Sequence, residues 1–351
     1  MHQLSLPSDS GLYMPGMNSE FQHPGRFLEF DMGERARPQG TLYNPSTAFY
    51  DISDGHLRRI MLGRDENIGS ESDSEVVACD YNTRQLIENA PVFKLSQDPY
   101  YLGKFRDADD EFWQVIGMVR ITVDSEDKVT SWRDVLYRYK DSIMELGNED
   151  RVVDPWMEGP EEQKDLRFMP LFDNILCTPR PQGKEFGGLG SVARFITKNL
   201  DTLPKDLERF FRERDPDTII KGLSAKGHWN AIGQFLGRYP GTNYVRAIGH
   251  DAHVGDDNLR HYEGTYSWFD YETQKVVGSF TVATADSYQE IDPKPGHGLG
   301  KIVFSSGVIE GGRGLELITG VADRAIGVVP IDIKGLDRKM VRIVRGLAHA
   351  A

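Results

Sequence analysis

Short apolar or alternating runs recur along this chain from residue 27 onward, and each is bounded by glycine, aspartate, asparagine or proline. Runs of this length with turn residues between them are typical of antiparallel β-strands. They lie at residues 58–62, 75–79, 112–123, 132–139, 168–172, 175–178, 244–249, 262–269, 276–283, 301–304, 315–320 and 325–331. Twelve or more strands over about 300 residues predict an all-β fold, and the sandwich, the barrel and the propeller all remain open.

Two segments differ from this pattern. Residues 203–223 carry Leu207, Phe210 and Phe211 at helical spacing among charged side chains, which predicts a short helical insertion. Residues 1–25 are rich in Ser, Pro, Gly and Met without periodicity, and we expect an irregular N-terminal arm there. The remainder, residues 26–351, is then expected to form a single domain.

The charge balance limits the class of partner. The 54 acidic residues outnumber the 41 lysines and arginines, and the net charge is −13. Nucleic acid is therefore not an expected partner, because a phosphate backbone needs a basic face. One small phosphorylated ligand remains open, since it needs only a local basic cluster.

The cysteines and the N-terminus indicate a compartment. Cys79 and Cys177 are too few for a disulfide framework, so we expect buried, reduced thiols. No basic stretch followed by an apolar core opens the chain, and no window approaches the roughly 20 apolar residues of a membrane helix. We expect a cytoplasmic protein with no membrane partner.

Polar clusters stand at the boundaries of the apolar runs, where strand ends and loops would bring them into a shared mouth. They are Tyr43-Asn44-Pro45-Ser46, Gly63-Arg64-Asp65, Gln97-Asp98-Pro99, Lys164-Asp165-Leu166-Arg167 and Gly249-His250-Asp251-Ala252-His253, joined by Arg133, Arg180 and Asp323.

Asp98 has two interpretations. Because it precedes Pro99, its backbone is expected to be extended, and Asp-Pro commonly opens a turn. Asp98 is then either a turn-capping aspartate or a general acid or base at a strand end.

The basic and histidine clusters also leave alternatives. Residues 164–167 form either a solvated run of surface salt bridges or an anion site, in which Arg offers a fork and Lys a point charge. His250 and His253 flank Asp251, but no further His or Cys at ligand spacing completes a zinc set. We therefore expect no metal and no cofactor, and a histidine that bonds a phosphate or a sugar hydroxyl.

The clusters in chain order resemble a known family. The motifs are Tyr-Asn-Pro-Ser at 43–46, Gly-Arg-Asp at 63–65, Gln-Asp-Pro-Tyr at 97–100, Gly-Pro-Glu-Glu-Gln-Lys-Asp-Leu-Arg at 159–167, Arg-Pro-Gln-Gly at 180–183, Ile-Gly-His at 248–250 and Thr-Gly-Val-Ala-Asp at 319–323. Together they resemble the mannosyltransferase/phosphorylase family, glycosyltransferase family 108, which is related to the mannoside phosphorylases of glycoside hydrolase family 130. The resemblance covers roughly residues 40 to 330.

This resemblance implies a five-bladed β-propeller that transfers β-1,2-linked mannose with inversion and without a metal. The implied partners are mannose, mannose 1-phosphate or GDP-mannose, β-1,2-oligomannosides and inorganic phosphate. Asp98 would be the catalytic carboxylate. The resemblance further implies sugar-binding residues, which are Asn44, Ser46, Arg64, Asp65, Asp165 and Asp323. It also implies phosphate-binding residues, which are Arg133, Lys164, Arg180 and His250.

Two other functions compete with this one. An inverting glycoside hydrolase on a similar propeller needs a second carboxylate as base, for which Asp65, Asp165 and Asp323 are candidates. A non-catalytic propeller would bind sugar without turnover. A lone acid beside cations favours transfer to phosphate, because phosphate is already a nucleophile. The sequence leaves the donor and the oligomeric state open.

Overall fold

The protein is described by a computed structural model that covers residues 23–37, 40–53, 55–67, 70–148, 150–182, 190–223, 228–295, 298–311 and 314–350. Residues 1–22 of the expected N-terminal arm lie outside the described residues. Strand accounts for 54% of the structure and helix for 12%, so the predicted all-β class is confirmed.

The strands of the described residues, in chain order, are β1 (Arg26–Leu28), β2 (Gly40–Tyr43), β3 (Phe49–Ser53), β4 (His56–Asn67), β5 (Glu75–Asp80), β6 (Gln85–Leu86), β7 (Phe93–Lys94), β8 (Ser96–Arg106), β9 (Phe112–Val123), β10 (Val129–Tyr139), β11 (Met157–Glu158), β12 (Gln163–Leu171), β13 (Asn174–Pro181), β14 (Phe195–Thr197), β15 (Trp229–Arg238), β16 (Tyr244–Val254), β17 (Arg260–Asp270), β18 (Lys275–Ala283), β19 (Leu299–Gly311), β20 (Gly314–Val321) and β21 (Ala325–Pro330). The two helices are α1 (Leu203–Glu213) and α2 (Ile333–Ala350).

The strands pair into antiparallel groups that follow the chain. The first group holds β2 to β7, the second β8 to β11 and the third β12 to β14. β15 to β18 form the fourth group, and β19 to β21 form the fifth, to which the N-terminal β1 adds by pairing with β21. A short parallel contact between β17 and β19 joins the fourth and fifth groups into one eight-stranded sheet.

Each group packs its apolar side chains against the next group. Ile60 of β4 and Ile116 of β9 share one core, while Leu136 of β10 and Leu166 of β12 share another. Further cores join the third group to the fourth and the fourth to the fifth. The last core returns to the start, because Met61 of β4 packs with Ile318 of β20. This closed succession of face-packed sheets is a propeller-like arrangement.

The predicted helical insertion is present but shorter than expected. α1 buries Leu203, Leu207 and Phe210. The residue that caps its C-terminus, Arg214, has a φ of 49°, which lies in the left-handed region. Pro216 follows two residues later, and the ring disfavours a helical backbone in the residue before it. The helix therefore stops at residue 213 and not at 223.

The C-terminal helix α2 was not predicted. Leu336, Met340 and Val344 lie at four-residue spacing on its buried face and pack with the core of the fourth and fifth groups. Neither described helix has the length and apolar character needed to cross a bilayer. Cys79 and Cys177 are buried free thiols, as the sequence predicts.

Candidate active site

A cavity of about 430 Å³ lies where the ends of several strand groups meet. Seven of the predicted site residues line it, and these are Asn44, Arg64, Asp98, Lys164, Arg180, His250 and Asp323. They come from β4, β8, β12, β13 and β16, from the residue after β2 and from the turn between β20 and β21. Residues far apart in sequence thus meet in one place.

The backbone at Asp98 differs from the sequence-based expectation. Its φ is 45°, which lies in the left-handed region, so the prediction of an extended conformation is wrong. The pairing of β8 with β9 skips from Gln97 to Tyr100, which places Asp98 and Pro99 in a β-bulge. A bulge suits Pro99, which has no N–H for the ladder, and it redirects the Asp98 side chain.

The same device recurs in β12. Its pairing with β13 skips from Lys164 to Arg167, and Asp165 has a φ of 60°. The N–H of Leu166, freed from the ladder, donates to Asp134 Oδ2 at 2.9 Å. Strands β8 and β12, of two successive groups, thus each carry an aspartate with a left-handed backbone in a bulge. Such a backbone conformation costs free energy and is common at functional sites.

Asp98 lies beside Asn44 and Asp323. Asn44 Nδ2 donates to Asp98 Oδ1 at 3.0 Å, and the Asn44 side chain also bonds Asp323. Burial raises the pKa of Asp323, against the attraction of Arg64 and with the repulsion of Asp98. Two carboxyl groups share one amide here, and at least one of them is biased towards holding a proton.

Arg64 is held by a buried network that the sequence analysis missed. Its Nε donates to Glu66 Oε2 at 2.8 Å and its Nη2 contacts Glu71 Oε2 at 3.0 Å. Lys294 Nζ donates to Glu66 Oε1 and lies 3.4 Å from Glu71 Oε1. Glu66 is fully buried and Lys294 is 4% exposed, so these charges depend on one another. The one local signal was the spacing of Arg64 and Glu66, which places both on one face of β4.

Three predicted sugar ligands, Asp65, Ser46 and Asp165, do not line the cavity. Asp65 follows Arg64 in β4, so its side chain lies on the opposite face of the strand. Its Oδ2 lies 3.2 Å from Arg37 Nε, and burial raises the pKa of its carboxyl group. Ser46 is fully buried, where its Oγ accepts from Leu62 N at 3.0 Å and donates to Thr47 O at 2.8 Å. The side chains of Asp65 and Ser46 hold neighbouring backbone or side chains in place.

Lys164 and Arg180 form a cationic region at another side of the cavity. Arg180 Nη2 lies 2.6 Å from Asp165 Oδ2. Asp165 is buried and does not line the cavity, so it orients Arg180 from behind. Burial disfavours the Asp165 carboxylate, but Arg180, Lys164 and Arg167 outweigh it and hold the pKa well below its usual range. This burial excludes the interpretation of residues 164–167 as a solvated surface run.

Lys164 and His250 complete this region. Lys164 makes no ion pair with any residue of the described ranges. His250 is 1% exposed, and burial and then the charge of Arg180 lower its pKa to about 3. Its Nδ1 is buried and has no hydrogen-bond partner among the residues that the structure describes. Phe304 and Tyr262, which the sequence analysis also missed, pack against the His250 ring.

Arg133 is the one predicted phosphate ligand that the structure does not bring to the cavity. Its Nη2 lies 2.6 Å from Glu161 and its Nη1 3.5 Å from Glu158. The side chain is one-third exposed on β10. Its proposed role in phosphate binding has no support from this geometry.

His250 and His253 face different surroundings, because successive residues of a strand alternate between its faces. His250 lines the cavity, whereas His253 lies with His228 and Asp251, and their ligand atoms are all within 4.8 Å of one another. The third member, His228, is 23 residues from Asp251 and 25 from His253 in sequence, which is why spacing did not reveal it.

The fold and the cavity define the class of protein. It is an all-β, propeller-like protein with a polar cavity that is lined by both carboxylates and cations. The chain belongs to the family described as "Protein of unknown function (DUF1861)", whose model matches residues 39–334. Among curated proteins, none matches this chain.

Solved structures share the fold. MPT-4, a mannose phosphorylase from Leishmania mexicana in complex with phosphate ion, is 21% identical with a TM-score of 0.65, over 88% of this chain and 89% of that one. MPT-1, a GDP-Man-dependent mannosyltransferase from the same organism, is 20% identical with a TM-score of 0.65, over 90% of each chain. A hypothetical protein from Leishmania major is 20% identical with a TM-score of 0.61. The resemblance found in the sequence is thus confirmed at the level of the fold.

Proposed function

We propose that this protein catalyses inverting transfer of β-1,2-linked mannose to and from inorganic phosphate, with Asp98 as the acid and base. The observation that carries the proposal is one cavity with two unlike sides. Asp98, Asn44, Asp323 and Arg64 line one side, and Lys164, Arg180 and His250 line the other. The first set can bond sugar hydroxyls. In the second set, Lys164 and Arg180 can neutralise a phosphate, and the uncharged His250 can add a hydrogen bond to it.

The proposed fold is a five-bladed β-propeller formed by residues 26–351. Each of the five groups of strands would be one blade. The apolar core between the fifth group and the first, and the pairing of β1 with β21, support a closed ring. Closure matters for function because it fixes the bulges of β8 and β12 around one central cavity.

In the direction of phosphorolysis, phosphate held by Lys164 and Arg180 attacks the anomeric carbon of the mannose. The C–O bond to the leaving sugar breaks as the bond to the phosphate oxygen forms. Asp98 gives its proton to the leaving oxygen, directly or through a sugar hydroxyl. The products are α-mannose 1-phosphate and a shortened mannoside. In synthesis, the Asp98 carboxylate accepts the proton of the acceptor hydroxyl and phosphate leaves.

The geometry disfavours the three carboxylates that a hydrolase was expected to use as its base. An inverting hydrolase needs a second carboxylate on the opposite side of the sugar to activate water. Asp65 lies outside the cavity and Asp165 is bound to Arg180. Asp323 shares Asn44 with Asp98, which places it on the same side as the acid.

The test is incubation of the full chain with α-mannose 1-phosphate and mannose, followed by measurement of released inorganic phosphate and of oligomannosides. GDP-mannose is the second donor to test, because it carries a phosphate on the same sugar carbon. We expect phosphate and product to appear in equal amounts. Release of GDP from GDP-mannose without any release of phosphate from mannose 1-phosphate, or release of neither, would overturn the proposal, and so would undiminished turnover in Asp98→Asn.

A further inference from the structure

A histidine–carboxylate cluster lies outside the active-site cavity, on the other face of the strand that carries His250. In β16, Asp251 and His253 share one face, and His250 and Ala252 share the opposite one. His228 immediately precedes Trp229, which pairs with Ala252 and so brings His228 alongside His253. Two side chains of β16 and one from the residue before β15 converge there.

The geometry points to a divalent metal site, and we propose that His228, Asp251 and His253 bind a transition-metal ion of the Zn²⁺ type. The ligand atoms of the three residues lie within 4.8 Å of one another. His228 Nδ1 is 2.6 Å from Asp251 Oδ2, and the His228 and His253 rings stack at 4.7 Å. An ion bonded at about 2.0–2.2 Å to each ligand fits this group after small side-chain rotations.

The donor set selects the class of metal. Two imidazoles and one carboxylate suit Zn²⁺ and its neighbours in the first transition row, whereas Mg²⁺ and Ca²⁺ prefer sites made of oxygen ligands. Three protein ligands leave a fourth position of a tetrahedral ion for water. His228 and His253 are only partly buried, so an ion can reach the group from solvent.

His261 supports the site without being a ligand. It pairs with His253 across β16 and β17, and the two rings stack at 5.4 Å. Both of its ring nitrogens are engaged, since Nε2 bonds Asp257 at 3.0 Å and Nδ1 accepts from Lys301 N at 3.1 Å. Its ring therefore packs beside His253 and restricts the orientation of that imidazole.

The proposed ion would tie the beginning of β15 to β16. His228 is followed at once by the first residue of β15, and the other two ligands lie near the end of β16. A ligand that binds only the folded chain stabilises it by an amount that grows with the logarithm of the ligand concentration divided by Kd. The expected role is thus a structural clamp, and its test does not depend on the proposed transferase activity.

The experiment uses the full chain without a polyhistidine tag, freed of metal by a chelator. Titration calorimetry with Zn²⁺ should show one ion per chain, and Zn²⁺ should raise Tm. Co²⁺ should give the intense visible absorption of a tetrahedral site, and Mg²⁺ should bind at least tenfold more weakly than Zn²⁺. His253→Ala and Asp251→Asn should each weaken Zn²⁺ binding by more than about 100-fold.

The matched control is His56→Ala, which removes an exposed histidine at the start of β4. It should leave Zn²⁺ binding unchanged. Because a ligand variant could unfold, His228→Gln provides a milder change, and the circular dichroism of each metal-free variant is compared with that of the wild type. Absence of Zn²⁺ binding in the folded wild-type chain would overturn the proposal. Equal affinity in the folded ligand variants would overturn it as well.

Discussion

The two sides of the active-site cavity balance charge in opposite ways. On the side of Arg64, the cations Arg64 and Lys294 are bonded to Glu66 and Glu71 in a buried network. On the side of Arg180, Asp165 is the bound carboxylate, and Lys164 has no ion pair within the described ranges. On the side of Arg64, both cations are paired with carboxylates of the protein. On the side of Arg180, the positive charge of Lys164 is not paired within the described ranges.

The difference indicates what each side is built to bind. Neutral sugar hydroxyls need many fixed donors and acceptors and gain little from net charge. A phosphate needs uncompensated positive charge close to its oxygens. Under the proposed function, this contrast would separate a subsite for the sugar from a subsite for the phosphate, and the following experiments test that separation.

The largest effect is expected on kcat, for substitution of Asp98, the proposed catalytic acid. Asp98→Asn keeps the bond to Asn44 possible but cannot transfer a proton, so kcat should fall by about 100- to 10,000-fold. Steady-state release of phosphate from mannose 1-phosphate measures this loss. Asp173→Asn, in the exposed turn between β12 and β13, is the control and should retain wild-type turnover. A kcat for Asp98→Asn within threefold of wild type would contradict the assignment.

The next largest effect is expected on the unfolding free energy, for the buried network of Arg64 and Lys294. Lys294→Met removes one of the two cations of a buried network and leaves Glu66 and Glu71 with Arg64 alone, which should lower the free energy of unfolding by about 3–5 kcal/mol. Urea denaturation measures it. Adding Glu66→Gln should recover part of the loss, because the buried charge is then absent. Equal stability of Lys294→Met and wild type would show that the buried carboxylates of this network do not depend on the charge of Lys294.

The cationic side is tested through binding. Lys164→Met should raise the KM for phosphate by about 10- to 100-fold and lower the unfolding free energy less than Lys294→Met does, since no ion pair within the described ranges is broken and only a longer-range attraction to Asp165 is lost. Arg133→Met should change the KM for phosphate by less than about threefold, because Arg133 lies outside the cavity. A larger effect at Arg133 than at Lys164 would reverse our placement of the phosphate.

The smallest effect concerns the pH dependence of the unfolding free energy. It arises from Asp134, which accepts the N–H of Leu166 next to Asp165. Burial, and then the charge of Asp165, raise the pKa of Asp134 to about 7 from a usual value of 3.8. The folded protein thus holds a proton that the unfolded chain releases, so this contribution to stability is full below about pH 4 and is lost as the pH rises to about 7. Asp134→Asn should remove that decline.

Unfolding free energies at pH 5 and pH 8 measure the difference between Asp134→Asn and wild type. We expect the variant to be relatively more stable at pH 8 than at pH 5. Asp173→Asn, which changes an exposed carboxylate, serves again as the control. A difference that is independent of pH would show that Asp134 is already ionised in the folded protein.

The sequence predicted what depends on local pattern. All twelve apolar runs fall in strands or end one residue beyond them, because alternation and turn residues are local signals. Asp98, Lys164, Arg180 and His250 stood out through short motifs and do meet in one cavity. The helix at residue 203 was also found, although its end was placed too far along the chain.

What the sequence missed depends on contacts between distant segments. Lys294 lies in a loop more than 200 residues from its partner Glu66, and His228 precedes a strand that spacing could not align with His253. The bulge at Asp98 also escaped notice, because the rule for residues before proline describes an average and tertiary structure overrode it.

The fate of the mannosyl group distinguishes transfer to phosphate from transfer to water. β-1,2-Mannobiose is incubated with the full chain in buffer with and without inorganic phosphate, and the products are followed by NMR. We predict no cleavage without phosphate, and with phosphate one α-mannose 1-phosphate and one mannose for each bond broken. Two free mannoses per bond in phosphate-free buffer, or no cleavage in either buffer, would contradict the account.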